Sequence, residues 1–324
     1  MKKFLMGLVA LMVMMFVLVA CGGENGHPGS IATTPQTETT TATQEANEPA
    51  QAVARDMYDR EGFAVTIPAE INTIVSIAPS NTEVLMALGF ANNIVATDDQ
   101  PVEGIDSSIA VLSMWGIDLE HIIGLNPDLI VASSMIMFDG DPLQAARDAG
   151  IAVVYIPSSD SIAKVKDDIR FLADILGAQA RGEEVIAQMQ TELDSVAQIV
   201  SGITNQRTVY FEISASPFTF GHDTFLHELV ELAGGINIFA DQTGWISPSL
   251  ESVIEIDPEV ILTSTNYIPS AVEEILTRAG FESLQAVTAG DVHFIDTDLS
   301  SRPSQNVVYA IRQIAEAIYP EYFR

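Results

Sequence analysis

Asp118-Leu119-Glu120-His121-Ile122-Ile123-Gly124-Leu125-Asn126-Pro127-Asp128-Leu129-Ile130-Val131-Ala132-Ser133 aligns without a gap on Ser249-Leu250-Glu251-Ser252-Val253-Ile254-Glu255-Ile256-Asp257-Pro258-Glu259-Val260-Ile261-Leu262-Thr263-Ser264, at a constant offset of 131 residues. Each copy opens on a helix-capping residue, Asp118 or Ser249, whose side-chain oxygen can accept a first-turn N–H. Residues 119–124 and 250–256 then read as short helices, each stopped by a proline-containing turn. Residues 129–132 and 260–263 follow as short apolar runs, the pattern of a strand buried on both faces. One helix-turn-strand unit used twice predicts two similar lobes.

The same alternation extends outward from the repeat. Strands are expected over residues 74–78, 94–97, 129–132, 152–156, 208–213, 260–263 and 292–295. Helices are expected over 82–88, 119–124, 142–149, 162–176, 178–203, 225–233, 250–256, 270–279 and 303–318. Ser80-Asn81-Thr82-Glu83, ahead of a helix ending at Gly89, is loosely echoed by His222-Asp223-Thr224-Phe225 ahead of one ending at Gly234-Gly235. Strands alternating with helices imply largely parallel sheets covered by helices. The expected fold class is therefore α/β, with an N-terminal lobe over 64–177 and a C-terminal lobe over 206–324. Residues 178–205 carry a helix that, at about 1.5 Å per residue, is long enough to pass from one lobe to the other.

Composition narrows the function. The chain has 324 residues with 14 basic against 44 acidic side chains, a net charge of −30. A nucleic-acid backbone would repel such a protein. A hydrophobic content of 48% excludes a wholly disordered chain. The single cysteine permits no intramolecular disulfide and no cysteine-based zinc site. That cysteine, Cys21, directly follows Lys2-Lys3 and the unbroken apolar run from Phe4 to Ala20. A charged start, a short apolar run and a small-residue end mark residues 1–20 as an export signal. Leu18-Val19-Ala20-Cys21 resembles the lipobox of bacterial lipoproteins, which implies that Cys21 is the lipidated first residue of the mature chain. Residues 21–63 complete the tether, since residues 22–57 contain no aromatic residue and are rich in Thr, Pro, Gln, Glu and Ala. Such a stretch buries too little apolar area to offset the entropy of ordering.

Ile74-Val75-Ser76-Ile77-Ala78-Pro79-Ser80-Asn81-Thr82-Glu83, Leu119-Glu120, Asn126-Pro127-Asp128-Leu129-Ile130 and Gly234-Gly235-Ile236-Asn237 together resemble the cobalamin and iron-siderophore binding proteins of bacterial ABC importers. The resemblance runs from residue 65 to the C-terminus. It implies two lobes joined by one long helix, a cleft between them for a metal-chelate ligand, and delivery to a permease dimer with its ATPase. The lipid anchor would hold such a protein on the outer face of the cell membrane.

Glu120 and Glu251 occupy matching places in the two repeats. A carboxylate in the first turn of a helix is favoured by the helix dipole alone. The resemblance adds a second role, since family glutamates at these two positions contact arginines of the permease. Trp115 precedes the Glu120 helix and Trp245 the Glu251 helix, both read as loop residues, while Phe218 and Phe220 follow the strand at 208–213. Loops at the carboxyl ends of parallel strands bind ligands in open α/β sheets, and flat side chains there suit a macrocycle or an aromatic chelate. Arg302 is read as the one basic residue in a strand-to-helix loop, free to donate to a ligand or to pair with Asp298 or Asp296. In the cobalamin-binding members, an Asp and an Arg spaced as Asp298 and Arg302 contact the ligand.

His222 and His227, five apart, do not share a helix face, and no metal site is expected. Met114, Met135 and Met137 are read as packing or pocket wall before axial haem ligands. No catalytic constellation and no cofactor are read from the sequence. A single available cation favours a neutral or weakly charged ligand, a corrinoid ahead of a hydroxamate chelate. The alternatives are a protein for a bare transition metal or haem, and an exported α/β enzyme.

Overall fold

The computed structural model describes residues 53–215 and 217–323. Cys21, the export segment and the tether up to residue 52 lie outside the described residues. β1 (Arg55–Tyr58) and β2 (Ala64–Ile67) pair as an antiparallel ribbon. Residues 55–63, expected to belong to the tether, are part of the fold as this ribbon and its turn. Asp59 in its turn accepts N–H bonds from Glu61 at 3.0 Å, Phe63 at 2.8 Å and Tyr155 at 2.9 Å, which stitches the turn to the N-terminal lobe. β1 is almost wholly exposed, so it carries no alternating apolar pattern to read.

β3 (Ile74–Ile77), α1 (Pro79–Ala87), β4 (Ile94–Asp98), β5 (Ala110–Leu112), α2 (Leu119–Gly124), β6 (Leu129–Ser133), α3 (Gln144–Asp148), β7 (Ala152–Ile156) and α4 (Ile162–Ile175) form the N-terminal lobe. Its five-stranded sheet is parallel throughout, in the order β5-β4-β3-β6-β7. α5 (Gln179–Val200) leads to the C-terminal lobe. There β8 (Thr208–Glu212), β9 (Thr219–Phe220), α6 (Phe225–Leu232), β10 (Ile236–Asn237), β11 (Trp245–Ile246), α7 (Leu250–Ile256), β12 (Val260–Thr263), α8 (Ala271–Leu276), α9 (Gln285–Ala289), β13 (Val292–Phe294), α10 (Thr297–Ser301) and α11 (Val307–Ile318) follow. Four of these strands make a second parallel sheet in the order β10-β8-β12-β13, and β9 pairs with β11 as a small antiparallel ribbon.

β3, β6, β7 and β12 are buried on both faces, and alternate residues of one strand serve different cores. Leu129 and Val131 face the core shared with α4 and α5, whereas Ile130 and Ala132 face the outer core of the N-terminal lobe. Val260 and Leu262 face the same shared core as Leu129, while Ile261 faces the outer core of the C-terminal lobe. One continuous core thus passes from lobe to lobe along Val185, Ile186, Met189 and Val196 of α5. α4 and α5 approach closely because position 182 is glycine. A Cβ there would stand 2.6 Å from the Ala173 Cβ.

The repeat builds the same joint twice. Asn126 (φ 46°) and Asp257 (φ 55°) both take the left-handed conformation just before the proline, a conformation Asn and Asp tolerate best after glycine. The acid after the proline then grips a threonine at the start of the central strand. Asp128 Oδ2 accepts from the Thr73 N–H and hydroxyl at 2.9 Å each, and Glu259 Oε2 accepts from those of Thr208 at 2.9 and 3.2 Å. In return, each threonine hydroxyl accepts the N–H of its acid, at 3.0 and 3.1 Å.

Candidate ligand-binding cleft

The carboxyl ends of the two parallel sheets face each other, and the loops leaving them enclose two adjoining chambers of about 430 and 410 Å³. Ser158, Asn266, Thr297, Ser301 and Pro303 line both, so the chambers are two halves of one cleft between the lobes. Trp115, Met114 and Met135 belong to the first half, and Trp245, Tyr267 and Phe225 to the second.

Each residue of Ser80-Asn81-Thr82-Glu83 has its own task on α1. Ser80 and Asn81 line the first chamber. Thr82, fully buried, donates to Ser76 Oγ at 2.8 Å and lies 3.1 Å from Thr97 Oγ1, which fixes the helix to β3 and β4. Glu83 points the other way, into the opposite lobe. Ala78, just before the helix, has φ 144°, a strained value for a residue with a side chain. The buried Asp98 holds it there by accepting the Ala78 N–H at 2.9 Å, along with that of Gln100 at 2.8 Å. Burial pushes the Asp98 carboxyl above its ordinary value of 3.8, against the pull of those two bonds.

Arg302 lines the first chamber but is not free. Its Nη1 donates to Glu83 Oε1 at 3.0 Å and its Nη2 reaches Asp298 Oδ1 at 2.9 Å. Glu83 also accepts from the Ser304 hydroxyl and from Asn306 Nδ2 at 2.9 Å, while its carbonyl receives Gln305 Nε2 at 3.3 Å. This changes two expectations. The stretch before Arg302 is a short helix, α10, with Asp296 as its cap accepting the Leu299 N–H at 3.0 Å, so Asp296 does not pair with Arg302. The helix expected from residue 303 begins at Val307, because residues 302–306 are turned towards Glu83. Nothing local in the sequence signals a partner more than two hundred residues away.

A further bond links the lobes in the opposite sense. Glu228 on α6 accepts the N–H of Ile162, at the start of α4, at 2.8 Å. Burial raises the Glu228 carboxyl above its usual 4.5.

The aromatic residues are unevenly placed. Trp245 lies in β11 rather than in a loop, paired with Phe220 of β9, in a two-residue ribbon too short to give a periodic signal. It stacks on Phe218 at 6.1 Å and 21° and meets the buried Phe220 edge-on at 6.2 Å. Phe218, expected to contact the ligand, lines neither chamber and stacks against Trp245 instead. Tyr267, for which no local pattern predicts a role, braces the loop before Phe218 through bonds with Ser214 Oγ at 2.9 Å and the Ala215 N–H at 3.1 Å. Trp115, 61% exposed, stands in a bend of the N-terminal lobe at the cleft. The Asn237 of Gly234-Gly235-Ile236-Asn237 donates to the Phe220 carbonyl at 2.9 Å and so carries the ribbon. Gly235 lets this segment in, since a Cβ there would stand 2.8 Å from Ile318 Cδ1.

Glu120 and Glu251 are exposed in the first turns of α2 and α7, capped by Asp118 and Ser249 as expected. One acid stands on each lobe, and neither lines either chamber. Hydrogen bonds from its own backbone and from Ser249 hold the Glu251 carboxyl below its usual value. Among the described residues no group of three or more His, Cys, Asp or Glu side chains is placed to hold a metal ion. His222 Nδ1 lies 3.1 Å from the Ala240 carbonyl, and His227 Nδ1 lies 3.3 Å from Asn237 Nδ2. Among the described residues no helix is long and apolar enough to cross a membrane.

Two lobes of this topology, with one long linking helix and a cleft between the sheet ends, define a solute-binding fold. The sequence profile of the periplasmic binding protein family matches residues 74–299, and the chain belongs to that family. It is 30% identical to the ABC transporter substrate-binding lipoprotein YvrC of Bacillus subtilis, over 82% of this chain and 86% of that protein. It is 28% identical to the vitamin B12-binding protein of Vibrio cholerae, over 78% of this chain and 90% of that protein. The crystal structure of a possible iron-binding (periplasmic solute-binding) protein from Staphylococcus epidermidis superposes with a TM-score of 0.70 at 26% identity, covering 77% of this chain and 99% of that one.

Proposed function

We propose that this protein is the extracytoplasmic solute-binding component of an ABC importer and that it captures an uncharged or cationic metal chelate, a corrinoid ahead of a ferric hydroxamate. The observation that carries the reading is the charge of the cleft. Among the described residues Arg302 is the one basic side chain lining it, and that guanidinium already meets two carboxylates. A trianionic catecholate complex, or a haem with its propionates, would enter against that negative excess. The faces of Trp115 and Trp245 suit a flat macrocycle, and the Vibrio relative is by name a vitamin B12-binding protein. The chelate is cargo; the protein needs no cofactor of its own, and no enzymatic role is assigned to it.

Cys21 is the proposed lipid anchor, and Glu120 with Glu251 the contacts for a permease dimer served by its ATPase. Parallel calorimetric titrations with cyanocobalamin, a ferric hydroxamate and a ferric catecholate test the ligand class. Cyanocobalamin should bind tightest, and tight binding of the catecholate alone would refute the charge argument. Glu120→Lys and Glu251→Lys should abolish uptake while leaving ligand affinity nearly unchanged.

A further inference from the structure

The first turn of α1 presents unsatisfied donors to the ligand chamber. Its cap residue, Ala78, offers no side-chain acceptor, and Pro79 has no N–H. The N–H groups of Ser80 and Asn81, next in the nine-residue helix, have no intrahelical carbonyl within reach. Both residues line the 430 Å³ chamber. A second observation is independent of the helix end. The Asn81 side chain is buried, at 3% exposure, and its amide nitrogen has no hydrogen-bond partner. An unpaired buried donor costs free energy that a bound acceptor would recover. By contrast α6, the matching helix of the other lobe, is capped by its own Thr224, which accepts the His227 N–H at 3.3 Å.

The surroundings decide which acceptor suits these donors. Asp98, 2% exposed, lies directly behind the helix start on the Ala78 N–H. Across the chamber Arg302 is held by Glu83 and Asp298. A ligand carboxylate would meet this excess of negative charge, whereas a neutral carbonyl oxygen accepts the same N–H groups without that penalty.

We propose that Ser80, Asn81 and the start of α1 form a subsite for the carbonyl oxygen of an uncharged carboxamide on the rim of the ligand, and that this subsite selects amide-bearing over carboxylate-bearing forms of one chelate. The inference rests on the corrinoid reading above and adds the feature of the corrin rim that is recognised.

The test is calorimetric titration of the purified full chain, at neutral pH, with dicyanocobinamide and with dicyanocobyrinic acid, the same macrocycle carrying amides or carboxylates. A preference of about tenfold or more for the amide form is expected. Asn81→Ala should weaken binding of the amide form about fivefold and shrink the preference. Should that variant fail to fold, Asn81→Ser and the comparison on the unaltered protein still decide the matter. Equal affinities, or a preference for the acid, overturn the subsite while leaving the corrinoid reading in place. Unchanged affinity and preference in a folded Asn81 variant remove Asn81 and overturn the assignment. If neither corrin binds, the corrinoid reading falls and the subsite falls with it.

Discussion

Past the strands β6 and β12, which end their copies of the repeat, the two lobes part company. Ser133 leads into a 3₁₀ turn (Ser134–Met137) that brings Met135 into the chamber lined by Trp115, whereas Ser264 leads to Asn266, which lines both chambers, and to Tyr267, which braces the loop before Phe218. The N-terminal wall of the cleft offers backbone donors and a single tryptophan; the C-terminal wall offers Trp245 backed by Phe218 and Phe220. The duplicated unit keeps the scaffold because its Asp128 and Glu259 joints lie inside the strand entries. The loops at the other end of the strands bear no such load and can carry function.

The largest effect should come from the contact that joins the two walls. Glu83→Ala leaves the buried Arg302 with Asp298 as its one remaining carboxylate and takes the acceptor from Ser304 and Asn306, so it should cost about 3 kcal/mol in denaturant unfolding. A cost below about 1 kcal/mol would show that the Glu83 contact adds little to the joining of the lobes.

The two tryptophans should differ next. Trp245 is held in place by its stack, so less ordering is needed on binding. Trp245→Ala should weaken ligand binding about thirtyfold and Trp115→Ala about fivefold, measured by titration. Phe218→Ala should fall between them although Phe218 lines neither chamber. Equal losses at both tryptophans would erase the distinction between the walls.

A smaller contrast tests the repeat itself. Asn126→Gly relieves a left-handed residue for which no side-chain bond is formed, and should stabilise the protein by a few tenths of a kcal/mol in thermal unfolding. Asp257→Gly relieves the same backbone but loses the bonds to the Gln285 N–H at 2.8 Å and Nε2 at 2.9 Å, and should destabilise by about 1 kcal/mol. Stabilisation by both would mean that the α9 contact contributes nothing.

The pH response is the finest comparison. Because burial raises the Glu228 carboxyl, the folded protein holds that proton more tightly than the unfolded chain. The stability this group contributes is complete below 4.5 and is lost as pH rises through the folded value. Glu228→Gln keeps an acceptor for the Ile162 N–H and removes the titration, so its melting temperature should fall less than that of the unaltered protein as pH is raised from 4.5. Parallel curves would place no titrating group at that lobe contact.

The sequence by itself determined the scaffold. Strands buried on both faces must be short apolar runs, and β3, β4, β6, β7, β8, β12 and β13 fall where such runs lie. The long linking helix, expected over 178–203, spans Gln179–Val200 because its apolar face repeats at helical spacing over more than five turns. Exposed or two-residue strands such as β1, β9 and β11 carry no period, and they escaped. Trp115, Trp245 and Arg302 line the cleft because segments leaving the carboxyl ends of parallel strands meet there, Asp298 lines it at a spacing given by the resemblance, and Phe218, expected on the same ground as the tryptophans, lines neither chamber. Only the tertiary structure decided the state of Arg302, which Glu83 takes up from across the cleft, and the unpaired donors of Ser80 and Asn81. Secondary structure is written in neighbours a few residues apart. The charge and hydrogen-bond balance of a cleft depends on side chains that only the packed lobes bring together.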